Sequence, residues 1–136
     1  MSTKYEEIRA ASKTWLERVN RAQMSLFDLV TGFVSYCGIP QQLIDRGRAV
    51  FDDEKGHWKM PVRILLDGSS IVIVFRVTEQ NGKVAVSVHE GDAPTLINPD
   101  DSTECAKLFD GIVADIKDSF RESKTSRIGF RSESKA

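Results

Sequence analysis

Cysteine is scarce in this chain: two in 136 residues, which excludes a disulfide framework and a zinc site built from cysteine alone. Histidine is equally scarce, with His57 and His89 the only two. Charge of one sign is missing too. Lys and Arg number 19 and Asp and Glu number 20, so bulk electrostatics gives no reason to bind nucleic acid. No apolar run approaches the ~20 residues of a membrane-spanning helix. The first residues, Met1–Glu7, lack the basic start and apolar centre of a secretory signal. No phosphate-binding glycine loop, nucleophile elbow, HExxH or CxxC spacing occurs. The expectation is a cytoplasmic, non-enzymatic domain with no cofactor, no metal and no membrane association.

What is present is strong patterning. From Ser2 to Cys37, apolar or small residues recur at Ile8, Ser12, Trp15, Val19, Ala22, Leu26, Leu29 and Phe33. Their alternating spacing of four and three is a helical stripe. Leu16, Phe27, Val30 and Val34 add a second stripe, so the later half is apolar on two sides and should be the more deeply buried. Gly38, followed by Ile39-Pro40, is a helix stop, with a further helical turn expected at Gln41–Arg46.

Beyond Arg48 the period changes to two. The spacing predicts strands at Arg48–Asp52, His57–Leu66, Ser70–Glu79 and Lys83–Glu90. Asn81-Gly82 is a strong hairpin signal and pairs Val77 with Val86. Asp67-Gly68 is a second turn, expected to set Leu66 opposite Ile71 and Ile64 opposite Ile73. Short connections of this kind give an antiparallel meander. After a polar loop from Gly91 to Asp100, the stripe Cys105, Leu108, Phe109, Ile112, Val113, Ile116 and Phe120 predicts a second helix from Ser102 to Arg121. Asp101, with Glu104 three residues on, resembles a capping box. The fold class is therefore α+β. A long N-terminal helix, a four-stranded antiparallel meander and a C-terminal helix form one domain over residues 1–121, with both helices on one face of the sheet. Residues 122–136 are rich in Ser, Lys and Arg and are expected to form a disordered basic tail.

Strand alternation sorts the side chains of the sheet. One face takes Val50, Trp58, Met60, Val62, Ile64, Leu66, Ile71, Ile73, Phe75, Val77, Val84, Val86 and Val88, all apolar, and is the core face. The other takes Phe51, His57, Lys59, Pro61, Arg63, Leu65, Val72, Val74, Arg76, Thr78, Ala85, Ser87 and His89, with cations and no carboxylate. Lys59, Arg63, Leu65, Val72, Val74, Arg76 and His89 make up a candidate partner-binding patch. The competing reading is a solvated face whose Arg and Lys stems cover a few aliphatics.

Helix length is a second clue. About 35 residues span roughly 52 Å, against ~33 Å for a ten-residue strand. An unbroken first helix overhangs its sheet, and Tyr5, Ile8 and Trp15 on the overhang become candidate dimer-interface residues. The alternative is a break near Ser12 or Asn20. Cys105 at a helix start could be a reactive thiolate, though a free cysteine more often packs as a small hydrophobe.

These features favour a non-catalytic protein-binding module: an adaptor, chaperone or inhibitor of a larger protein, acting as a homodimer. The alternative is a single-stranded nucleic-acid-binding protein that uses Lys59, Arg63, Arg76 and the basic tail. An enzyme is the least supported class, and it would need a pocket with convergent polar groups.

Overall fold

The fold was obtained as a computed structural model, which describes residues 3–88, 93–122 and 130–132. It is an α+β arrangement of two helices and an antiparallel sheet. Helix α1, Lys4–Cys37, is unbroken, so the expected alternative of a break at Ser12 or Asn20 does not occur. Thr3 and Glu6 form a capping box at its start. The Thr3 hydroxyl accepts from the Glu6 amide while the Glu6 carboxylate accepts from the Thr3 amide. Gly38 ends the helix in the left-handed region at φ 66°, and the Ile39 amide reaches back to the Val34 carbonyl. Glycine suits that position because it carries no Cβ to clash.

The sheet holds β1 (Ile44–Arg46), β2 (Val50–Asp52), β3 (His57–Leu66), β4 (Ser69–Gln80), β5 (Lys83–Ser87), β6 (Thr95–Ile97) and β7 (Phe130–Ser132). Its order is β1-β3-β4-β5-β6, with β2 further along β3 and β7 beside β4, and every pairing is antiparallel. Four of these strands match the expected meander. The other three each have only three residues, too short for alternation to show. Thus the turn expected over Gln41–Arg46 is a 3-10 turn at Gln41–Leu43 followed by β1, and the loop expected from Gly91 to Asp100 contains β6. Within the segment expected to be a disordered tail, Phe130–Ser132 pairs with Ser69–Ile71. That stretch of β4 lies beyond the residues paired with the shorter β5. The remaining tail residues, 123–129 and 133–136, lie outside the described residues.

Register departs from expectation at two places. At Asp67-Gly68 the hairpin closes tightly, with Leu66 opposite Ser69 and Ile64 opposite Ile71. The slip from the expected pairing is two residues, so parity and faces survive. At the other place parity itself changes. Arg46 faces Val62, yet Val50 faces Lys59, so three residues, 47–49, lie opposite two, 60 and 61. This is a bulge. Gly47 sits in it, with its amide bonded to the Pro61 carbonyl at 2.8 Å. The extra residue reverses the expected faces of β2. Phe51 pairs with Trp58 on the helix side, and Val50, half-exposed, shares the open face with Lys59.

The core lies between the helices and the expected sheet face. Leu26, Leu29, Val30 and Phe33 of α1, and Phe109 and Ile112 of α2 (Ser102–Glu122), pack with Met60, Val62, Ile64, Ile71, Ile73, Phe75, Val77, Val84 and Val86. Phe33 sits centrally, edge-on to both Phe75 and Phe109 at 5.6 Å between ring centroids. Trp58 and Val88 are only partly buried at the margin of this core, and Leu66 is exposed at its turn. The α2 cap is close to the expected one. Asp101 accepts from the Thr103 and Glu104 amides, but Glu104 reaches past it to the Asn98 amide at 2.6 Å.

Candidate protein-docking surface

Two surfaces were candidates: the open sheet face and the free end of α1. On the open face, Lys59, Arg63, Leu65, Val72, Val74 and Arg76 are brought together by the pairings Lys59 with Arg76, Arg63 with Val72, and Leu65 with Ser70. His89 lies outside the described residues. The aliphatics there are half-buried, although no helix covers them. Arg63 donates from Nε to Ser70 Oγ at 3.2 Å, beside a fully buried Ser70, and Arg76 reaches the Val74 carbonyl at 3.5 Å. The stems of long charged side chains cover apolar surface.

The face also holds carboxylates, against expectation. Asp45 is the cross-strand partner of Arg63, and the bulge that turned Phe51 away brought Asp52 opposite His57. The Asp52 carboxylate lies 4.0 Å from His57 Nε2. Amides of Lys55 and Glu54 hold the Asp52 carboxyl below its usual range, and His57 adds to this. Burial holds His57 below the usual imidazole value in spite of that carboxylate. No base-nucleophile pair forms around His57 among the described residues.

At α1 the surface is of another kind. The helix is tied to the sheet at defined points. Arg21 grips Glu79 with two hydrogen bonds, 2.7 and 3.0 Å, and Trp58 donates to the Val19 carbonyl at 2.8 Å. Trp15 is the last residue with a ring contact, meeting Phe51 edge-on at 6.1 Å, and Phe51 in turn tilts against Trp58 at 5.4 Å. Toward the N-terminus every described residue from Thr3 to Arg18 is exposed. The large apolar side chains there are Tyr5 at 64%, Ile8 at 71%, Trp15 at 51% and Leu16 at 48%.

These residues are not scattered. Tyr5, Ile8, Ser12, Trp15 and Val19 continue the four-three spacing that, from Ala22 onward, is buried on the sheet. One stripe thus runs along the whole helix, covered over its second half and bare over its first. Burying a side chain such as Ile8 or Leu16 is worth ~1.5–3 kcal/mol. A contiguous bare stripe of this kind marks an interaction site more often than isolated surface hydrophobes do.

Other chemistry is sparse. Between α2 and β5–β6 lies an open groove of about 480 Å³, floored by Val86, Val88, Ile97, Leu108 and Ile112. Among the described residues, Glu104 on its rim is committed to the Asn98 amide, and Ser87, Thr95, Lys107 and Asp115 make up the rest of the polar lining. Both thiols are half-buried, and burial raises Cys37 and Cys105 above the usual thiol value. Asp101, Glu104 and Asp100 raise Cys105 further, which works against the reactive-thiolate reading. Among the described residues no His, Cys, Asp and Glu cluster could hold a metal ion, and no helix is long and apolar enough to cross a membrane. Compared with family models, curated proteins and solved structures, the chain matches none.

Proposed function

We propose that this chain is a non-catalytic protein-binding module, an adaptor, chaperone or inhibitor of a larger protein, which docks through the sheet-free end of α1. The observation that carries the reading is the bare continuation of the core stripe over Tyr5, Ile8 and Trp15, with exposed Leu16 beside it. The capping box at Thr3 stabilises this end as helix before any partner arrives, which lowers the ordering entropy of docking. The open sheet face, with Lys59, Arg63 and Arg76, offers a secondary polar contact. Two unpaired thiols suit the cytoplasm as the working compartment.

Self-pairing through the same stripe is the second reading, favoured by its four-three spacing, which also suits a second copy of α1. The nucleic-acid alternative is weaker. Phe51 has left the open face, Asp45 and Asp52 have joined it, and among the described residues no aromatic platform remains there for bases to stack on.

The test is a pulldown from source lysate with the wild-type chain and with the Ile8→Glu, Trp15→Glu double variant, read by quantitative mass spectrometry. The reading expects a protein retained by the wild type and depleted about tenfold by the variant, the loss that ~1.4 kcal/mol produces. Identical retention by both chains would overturn it. Light scattering on the same two proteins decides the oligomeric state.

A further inference from the structure

The residues beside the bare stripe carry charge of one sign. In the four-three pattern, Tyr5, Ile8, Ser12, Trp15 and Val19 form the seam, and Lys4, Arg9, Ala11, Leu16 and Arg18 flank it. Three flanking residues are cations and none is a carboxylate. Glu6 and Lys13 hold equivalent positions one residue beyond the seam and offset each other, and Glu7 and Glu17 fall on the remaining faces of the helix. Lys4 reaches Glu7 at 3.4 Å, but both side chains are exposed and such a pair exchanges at little cost. Arg18 lies in the field of Glu79, a carboxylate already held at two points by Arg21.

A second copy of α1 laid on this seam would set cations against cations. A helix with the same apolar spacing and carboxylates at its flanks would meet them with opposite charge. Charge at flanking positions selects partners in paired helices by this means. We infer that the N-terminal half of α1 is a docking seam for an acidic amphipathic helix of another protein. The inference rests on the protein-binding reading above and names the partner's chemistry.

The probes are two fluorescein-labelled three-heptad peptides with leucine along the seam, one flanked by glutamate and the other by lysine. Each is titrated with the full chain and followed by fluorescence anisotropy. At ~50 mM salt the glutamate peptide should bind about tenfold more tightly than the lysine peptide, and at ~500 mM the gap should shrink to about threefold or less. Lys4→Glu with Arg9→Glu, both on the exposed helix surface and away from the Arg21–Glu79 clasp, should reverse the preference with the helical circular dichroism unchanged. Ile8→Ser with Trp15→Ser should remove binding of both peptides.

Equal affinity for the two peptides, or binding of neither, overturns the inference. So does binding to phosphatidylserine vesicles without binding to the glutamate peptide. A wild-type dimer dispersed by the Ile8 and Trp15 substitutions would assign the seam to a second copy, overturning the acidic partner and leaving the protein-binding reading intact. Failure of that reading itself would show in the pulldown, as retention independent of Ile8 and Trp15.

Discussion

Trp58 donates its indole Nε1–H to the carbonyl of Val19 across 2.8 Å, and at this contact α1 parts from the sheet. On one side of it the helix stripe is core, and on the other it faces solvent. The bond and the Trp15–Phe51–Trp58 chain of rings form the last attachment before the free end.

Trp58→Phe keeps an aromatic ring and removes the donor. The expected cost is ~1 kcal/mol, the usual net worth of one hydrogen bond. Urea unfolding followed by circular dichroism measures it, and an unchanged midpoint would show that the bond contributes nothing.

The bulge at residues 47–49 makes a prediction about neighbouring residues. Phe51→Ala removes a ring held between Trp15 and Trp58 and should cost ~1–3 kcal/mol, below the full-core figure because the site is half-buried. Val50→Ala, on the open face and half-exposed, should fall within ~0.5 kcal/mol of wild type. The opposite ranking in denaturant midpoints would restore the uninterrupted alternation.

Two glycines should respond in opposite directions to alanine. A Cβ on Gly47 would stand 2.4 Å from Pro61 Cγ and 3.1 Å from its carbonyl oxygen. Gly47→Ala must therefore move the bulge or the proline, at ~1–3 kcal/mol. Gly111, inside α2, has nothing within 4 Å of the added carbon, and Gly111→Ala should stabilise by ~0.5–1 kcal/mol through helix propensity. Melting temperatures of both variants against wild type check the signs.

Acid should loosen the clasp between α1 and β4. The hydrogen bonds from Arg21 hold the Glu79 carboxyl below its usual value in the folded protein. The unfolded chain therefore takes up that proton first, so the stabilisation is complete above the ordinary glutamate range. It fades as pH falls through that range and on through the lower folded value. Glu79→Gln should be less stable than wild type at neutral pH, and the difference should vanish near pH ~2. Asp52, depressed in the same direction, remains in both proteins and leaves a shared acid dependence. A difference independent of pH would argue that Glu79 acts by packing.

Much of the fold could be read along the chain because its signals are local and long. The eight-member stripe of α1, the Gly38 stop, the Asn81-Gly82 hairpin and the alternation through β3 and β4 each repeat the same information several times. Thr3 and Glu6 also carry capping-box spacing, set five residues ahead of the first stripe member at Ile8. Nothing local announced the bulge. Gly47 is one residue among loop-like neighbours, and its effect, moving Phe51 to one face and Asp52 to the other, depends on Pro61 fourteen positions away.

By itself, then, the order of residues determined two amphipathic helices, an antiparallel sheet with one oily face, and a helix longer than the sheet it lies on, since periodicity and turn chemistry act between near neighbours. Only the tertiary structure decided where along α1 the stripe goes bare, that Arg63 and Arg76 hydrogen-bond to Ser70 and Val74 of the sheet, and that carboxylates join the open face. Those outcomes follow from register and strand length, which are settled by contacts between residues far apart in the chain.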